Sequence, residues 1–265
     1  MGLDRTFFGR RRESTLMPLR DALDALGNDG VMGDRTDEVP LASVVGSMTR
    51  AQDFDQDFGL VNRSLRGRWD RLATAVVSGA GLPPVDLVQL GELYFVKDGH
   101  HRVSVARSLG MHSIPARVRR ICTIAYAMCC LRLVHLPSKA AERAFLERVP
   151  VPDDARREMW LDEPSEWMRL ADAAEAWAFR RSGSPSSADR FDLARAWWED
   201  EVMPVLNRVR RAGVGLGTRD VQLYVTALAV RDRLGRGSWP DDLADHVARH
   251  AGGRRVPRQL SQLSG

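Results

Sequence analysis

Tyr94-Phe95-Val96-Lys97-Asp98-Gly99-His100-His101-Arg102-Val103-Ser104-Val105-Ala106-Arg107 is the stretch whose reading decides the fold around it. An apolar run of strand character meets Gly99. Three cationic or proton-exchanging side chains follow, and a helical stretch from Val103 to Leu109 closes at Gly110. A strand that turns through glycine into a helix start leaves backbone N–H groups without carbonyl partners and presents the positive end of the helix dipole. That geometry receives anions, phosphate above all. Arg102 adds a guanidinium fork, and the imidazoles of His100 and His101 can donate or exchange protons.

Working outward, Val85 to Leu90 alternates as a strand does, Gly91-Glu92 turns, and Leu93 to Val96 returns, which reads as a hairpin. Ile114 to Val118 is a closing strand. Upstream, Val39 to Val45 reads as one short strand ending at Gly46. Leu60 to Ser78 reads as a helix with Trp69, Leu72, Ala73, Val76 and Val77 on one side, and Gly79 to Pro84 as a turn. Residues 36–121 therefore form a small mixed α/β domain. Residues 1–35 read as an appendage, with Leu16, Leu19, Leu23 and Leu26 marking a helix face that stops at Gly27-Asn28-Asp29-Gly30 and packs on the main body or on a second subunit.

Residues 122–251 read as helical. Ser138 is a candidate N-cap for Lys139 to Arg148. Helical spacing recurs in Trp167, Leu170, Ala171, Ala174, Ala178, then in Phe191, Ala194, Trp198, Val202, Val205, Val209, then in Val221, Tyr224, Val225, Leu228. Trp160, Trp167, Trp177, Trp197 and Trp198 read as parts of a helical core. Gly183 to Ser187 reads as a loop, and residues 252–265 as a basic tail. The fold class is α+β: a small mixed domain followed by an all-α one.

The chain of 265 residues is 44% hydrophobic and 28% charged, enough to bury a core and too apolar for disorder by composition. No apolar run approaches the roughly 20 residues that cross a bilayer. The stretch Met1 to Arg12 has charges without the apolar core of a secretory signal, so a cytoplasmic protein is expected. The net charge of +4 is almost all arginine and is scattered: Arg10 to Arg12; Arg117, Arg119 and Arg120; Arg254, Arg255 and Arg258. DNA binding is compatible with this pattern and not demanded by it. Cys122, Cys129 and Cys130 have no metal-ligand spacing and read as buried free thiols in the run Ile121 to Leu133.

Residues Val39 to Val118 resemble the ParB/sulfiredoxin-like superfamily. Three blocks carry the resemblance in order: the strand Val39–Val45 followed by Met48 to Asp55; Pro83-Pro84-Val85 entering the hairpin; and Val96 to Ala106 followed by Leu109-Gly110 and Ile114-Pro115. At the third block partition ParB proteins carry a Gly-Glu-Arg-Arg turn that binds CTP phosphates, sulfiredoxins a Gly-Cys-His-Arg turn, and free-serine kinases a form close to Asp-Gly-His-His-Arg. The resemblance implies that Arg50, Lys97, Gly99, His100, His101 and Arg102 contact a nucleoside di- or triphosphate (ATP, ADP or CTP), with Asp98, His100 and His101 as candidate catalytic groups and Asp98 as a candidate Mg²⁺ ligand. His100 stands where sulfiredoxins keep their cysteine, so sulfinic-acid reduction is not expected. The helix-turn-helix of partition ParB proteins is not evident after residue 120, and the helical half is similar to that of actinobacterial ParB-like proteins of unknown function.

Three functions follow from the resemblance. One is a phosphotransferase or nucleotide hydrolase, for which Glu38, Asp53, Asp55 or Asp98 would have to supply the base. Another is a CTP-switched, homodimeric DNA-associated regulator with Arg119, Arg120 and the tail on the backbone. The third is a binding or scaffold protein. Other signals read as ordinary structure: Asp53 to Asp57 as a solvated acidic turn rather than a metal loop, His246 and His250 as surface residues, Gly213 to Gly217 as an interhelical turn.

Overall fold

The computed structural model describes residues 15–128, 130–157, 159–183, 189–235 and 237–253. Two compact units divide the chain, Met1–Ala144 and Phe145–Gly265. The architecture is α+β with a helical C-terminal part.

The first unit is built on a mixed six-stranded sheet: β1 (Met17–Pro18), β2 (Val31–Pro40), β3 (Val44–Ser47), β4 (Val85–Leu90), β5 (Leu93–Asp98) and β6 (Ser113–Ile121), in the spatial order β1-β3-β5-β4-β6-β2. β4 and β5 form the expected antiparallel hairpin, with Leu90 opposite Leu93. β3 lies parallel to β5 and β4 parallel to β6. Leu93 to Val96 is buried throughout, as a strand flanked and covered on both faces must be. Three helices join the sheet: α1 (Leu19–Leu26), α2 (Arg66–Val77) and α3 (His100–Ser108). Val103 and Ala106 of α3 enter one apolar cluster with Val85, Leu87, Val96, Ile114, Ala116 and Val118 from the strands.

Local expectations shift in physically legible ways. Val39 to Val45 is not one strand: Pro40 ends β2, Leu41–Ser43 makes a 3-10 turn, and β3 begins at Val44. Proline offers no N–H to continue a ladder, and Arg107 Nη2 fixes the turn by donating to the carbonyls of Leu41 at 2.6 Å and Val44 at 2.8 Å. The helix expected from Leu60 starts only at Arg66, after a 3-10 turn in which Asn62 Oδ1 accepts from the Ser64 amide and hydroxyl. No residue of α2 is buried, and Val77 is 73% exposed. Residues 15–35 join the sheet rather than standing apart. Leu16 is fully buried in the main cluster, Met17–Pro18 pairs with β3, and Val31 begins a strand of 10 residues. Gly27, in the left-handed region at φ 85°, closes α1 by donating its N–H to the Leu23 carbonyl.

Helix α4 (Leu136–Arg148) begins two residues ahead of Ser138, which is buried inside its first turn instead of capping it. In the second unit follow α5 (Asp153–Arg157), α6 (Pro164–Ser182), α7 (Arg190–Trp197), α8 (Met203–Arg211), α9 (Asp220–Arg233) and α10 (Leu243–Gly253). A π-helical turn, Trp198–Val202, joins α7 to α8 just ahead of Pro204, where the missing N–H interrupts α-helical bonding. Of the five tryptophans expected in the core, Trp167 and Trp197 are buried and Trp160, Trp177 and Trp198 only partly so; Phe145, Trp167, Trp197 and Tyr224 form a chain of ring contacts at 5.6–6.4 Å. Gly213 to Gly217 links α8 to α9. His246 is bonded to Asp242 at 3.0 Å and His250 to Arg233 at 3.0 Å. Cys122 is half-buried and Cys130 exposed, so neither is the buried thiol expected, and Cys129 lies outside the described residues. Among the described residues no helix is long and apolar enough to cross a membrane.

Candidate anion-binding site

Gly99 ends β5 and starts α3 at φ 97°, a left-handed conformation that a side chain rarely adopts. Its carbonyl accepts from the Val103 amide at 3.0 Å, closing the first turn. No side chain caps α3, and no acidic residue stands in its first turn. The leading amides of the helix therefore have neither an intrahelical carbonyl nor a side-chain oxygen.

His100 and His101, the first two residues of α3, are both buried. His100 Nε2 lies 2.7 Å from Ser47 Oγ at the end of β3. That oxygen already accepts from the amides of Thr49 at 3.2 Å and Arg50 at 2.8 Å. With both lone pairs engaged, the Ser47 hydroxyl must donate its proton to His100 Nε2, which assigns a neutral ring protonated at Nδ1. The charge logic agrees: burial first, then the nearby Arg50 cation, push His100 down to about 4. Phe54 stacks on the His100 ring at 5.9 Å and meets His101 edge-on at 5.7 Å.

His101 differs from its neighbour. It is 7% exposed, and among the described residues neither ring nitrogen has a hydrogen-bond partner. Burial, then Arg68 on α2 and Arg50, hold its pKa below the usual histidine value. A neutral imidazole has one donor and one acceptor, and leaving each unmade inside a protein costs about 1–3 kcal/mol.

Arg102 is committed to the fold. Its Nη2 donates to Asp98 Oδ2 at 2.6 Å, and its Nη1 to the carbonyls of Pro83 and Pro84 at 3.2 and 2.5 Å. The guanidinium thus ties the Pro83-Pro84 turn to the start of α3. Lys97 falls, by strand alternation, on the sheet face opposite to Val96, whose side chain lies in the cluster beneath α3. The structure therefore gathers Gly99, His100, His101 and Arg50, spends Arg102 and Asp98 on each other, and sends Lys97 elsewhere. It adds Ser47, Phe54 and Arg68. Ser47 closes a strand and Arg68 sits in the first turns of a helix, and neither position carries a sequence signature.

The carboxylates weighed as bases are occupied locally. Asp53 Oδ1 accepts from Asn62 at 3.0 Å, Asp55 Oδ1 from the amides of Asp57 and Gly59, and Asp98 from Arg102. Glu38 lies on β2, at the sheet edge opposite Pro115. Among the described residues no three His, Cys, Asp or Glu side chains converge as a metal cage. The residues present thus do not fit a protein-held Mg²⁺, and a divalent ion here would have to arrive on the phosphate groups. Arg119, weighed as a DNA contact, makes a two-pronged pair with Asp34 at 2.8 and 2.9 Å. The clusters at 10–12 and 254–258 lie outside the described residues.

Solved structures match this chain, two of them as follows. One is sulfiredoxin from Arabidopsis thaliana: 18% identity, covering 33% of this chain and 88% of that one, with a TM-score of 0.26. The other is a Pnob8-like ParB-N domain: 11% identity, covering 78% of this chain and 83% of that one, with a TM-score of 0.23. No protein-family model and no curated protein sequence matches the chain.

Proposed function

We propose that this protein binds a phosphate-bearing ligand, a nucleoside di- or triphosphate, at the start of α3, and works as a binding module rather than by phosphoryl transfer. One observation carries the reading. The uncapped first turn of α3 lies beside His101, a buried side chain with both ring nitrogens unpartnered. A phosphate oxygen held by the free amides would accept from an imidazole N–H, and the Arg50 guanidinium would balance its charge. Phosphoryl transfer would need a base for the acceptor hydroxyl. The nearest carboxylates, Asp98 and Asp53, are engaged by Arg102 and Asn62.

The test is thermal unfolding of the full chain against ATP, ADP, CTP, GTP and pyrophosphate, each with and without Mg²⁺. A ligand at 100 times its Kd adds about 2.7 kcal/mol to stability and raises Tm visibly. Arg50→Ala, an exposed substitution, is expected to lower affinity about tenfold at unchanged Tm of the free protein. Silence across the panel, or full affinity in Arg50→Ala, overturns the assignment. Product formation at a turnover rate would restore the transferase reading.

A further inference from the structure

The second unit holds a cleft of about 700 Å³ between α6 and α7 at the end of α4. Its volume lies within the range of small-molecule sites. Sequence explains why space is left here. α6 offers Ala174 and Ala178 one turn apart where bulkier residues would have met α7, so the apolar surface open in the cleft comes from Ala178, Phe179 and Leu193, above the buried Trp197. Phe179 stands at the mouth, 63% exposed.

The rim is charged, but two of its three arginines are spent. Arg148 binds Asp172 at 2.8 Å and Glu175 through two bonds at 2.8–2.9 Å. Arg190 donates to the carbonyls of Glu147 and Arg148, closing the C-terminal end of α4. Arg180 lines the cleft from the last turn of α6 and has no ion pair or hydrogen bond among the described residues. Its neighbour Arg181, in contrast, pairs with Asp200 at 2.9 Å and lies over Trp177. An apolar chamber with one uncommitted cation at its mouth is complementary to one kind of ligand.

We infer that this cleft binds a monoanionic amphiphile, a molecule with an apolar acyl body and a single carboxylate head. The body would displace water from Ala178, Phe179 and Leu193, and the head would pair with Arg180. The acyl chain supplies affinity and the arginine supplies the choice of head group.

Titration calorimetry of the full chain with dodecanoate, below its micelle concentration and at low salt, tests this. Saturable one-to-one binding is expected, with dodecanol at least about tenfold weaker and dodecyltrimethylammonium weaker still. Ala178→Trp should fill the chamber and abolish binding. Arg180→Glu, an exposed change that leaves folding alone, should weaken dodecanoate about tenfold or more and leave nucleotide binding unchanged. The inference is overturned by non-saturable uptake, by equal affinity for the alcohol and the acid, or by full affinity in folded Arg180→Glu. The last outcome decides the matter even where Ala178→Trp fails to fold.

Discussion

The helices α3 and α6 begin in opposite ways. α6 carries Pro164 and Glu166 in its first turn after Glu163, so its own sequence supplies the negative charge that a helix start attracts. α3 begins Gly99-His100-His101-Arg102, with no acid in its first turn, and neither helix has a side-chain cap. Both helices are packed and regular, so folding alone does not require α3 to omit the acid. The proposed phosphate site rests on this contrast: α3 has no acid in its first turn and carries there a buried imidazole without a hydrogen-bond partner among the described residues. The same contrast holds among the arginines of the second unit, where Arg148 is matched by Asp172 and Glu175 and Arg180 faces a cleft unmatched.

The largest effect is expected where backbone geometry creates the contrast. A Cβ on Gly99 would sit 2.6 Å from Val85 Cγ1 and 3.0 Å from the Arg102 guanidinium, at φ 97°. Left-handed strain plus overpacking predicts about 3 kcal/mol of lost stability for Gly99→Ala, a fall in Tm of roughly 6–12 °C. Gly110 is the control: its φ is 70°, but nothing lies within 4 Å of a new Cβ. Gly110→Ala should therefore lose only the left-handed strain, about 1 kcal/mol. Equal losses at the two positions would mean that the packing of Gly99 against Arg102 has been misread.

A second prediction concerns acid. His100 is held at about 4 when folded, against about 6.5 when unfolded. The unfolded chain therefore binds the proton first, and stability falls as pH drops from about 6.5 to about 4, reaching a loss of about 3 kcal/mol. His100→Gln keeps an acceptor for the Ser47 hydroxyl but cannot titrate. Its unfolding free energy should be flatter over that window, as followed by denaturant titration at successive pH values. A variant with the same slope as the wild type would place the acid-sensitive group elsewhere.

Much of the first unit was legible because its signals are local. The hairpin of β4 and β5 and the glycine turn into a helix follow from alternation, glycine and helical spacing within one short stretch, although α3 begins at His100, three residues before the expected Val103. The α+β division was legible for the same reason. The start of α2 was misplaced because Asn62 competes for the backbone, a choice made by one side chain against an otherwise helical pattern. The strand Val31–Pro40 was hidden because it lies at the sheet edge with both faces exposed, which removes the apolar alternation that marks a strand. In the site, Gly99, His100 and His101 announce themselves. Arg102 has the right chemistry for a ligand contact, and only its bonds to Pro83, Pro84 and Asp98 reveal a structural role. Ser47 is 53 residues from His100, and pairing at that separation leaves no periodic trace.

The smallest effect tests the other side of the comparison. Glu166→Gln removes the charge that α6 supplies to its own start while keeping nearly the same shape. A carboxylate in the first turn contributes about 0.3–1 kcal/mol through the helix dipole, screened by salt. Gln222 Nε2, 3.4 Å from Glu166 Oε1, can still reach the amide oxygen of the variant. The expected loss is therefore about 0.5 kcal/mol at low ionic strength, shrinking at 1 M salt. Added phosphate should not restore it, because Glu163, Pro164 and the remaining helix start were never arranged for an external anion. Phosphate rescue of Glu166→Gln at low salt would show that any uncapped helix start in this chain accepts the ion. The arrangement around His101 would then lose its claim to be special.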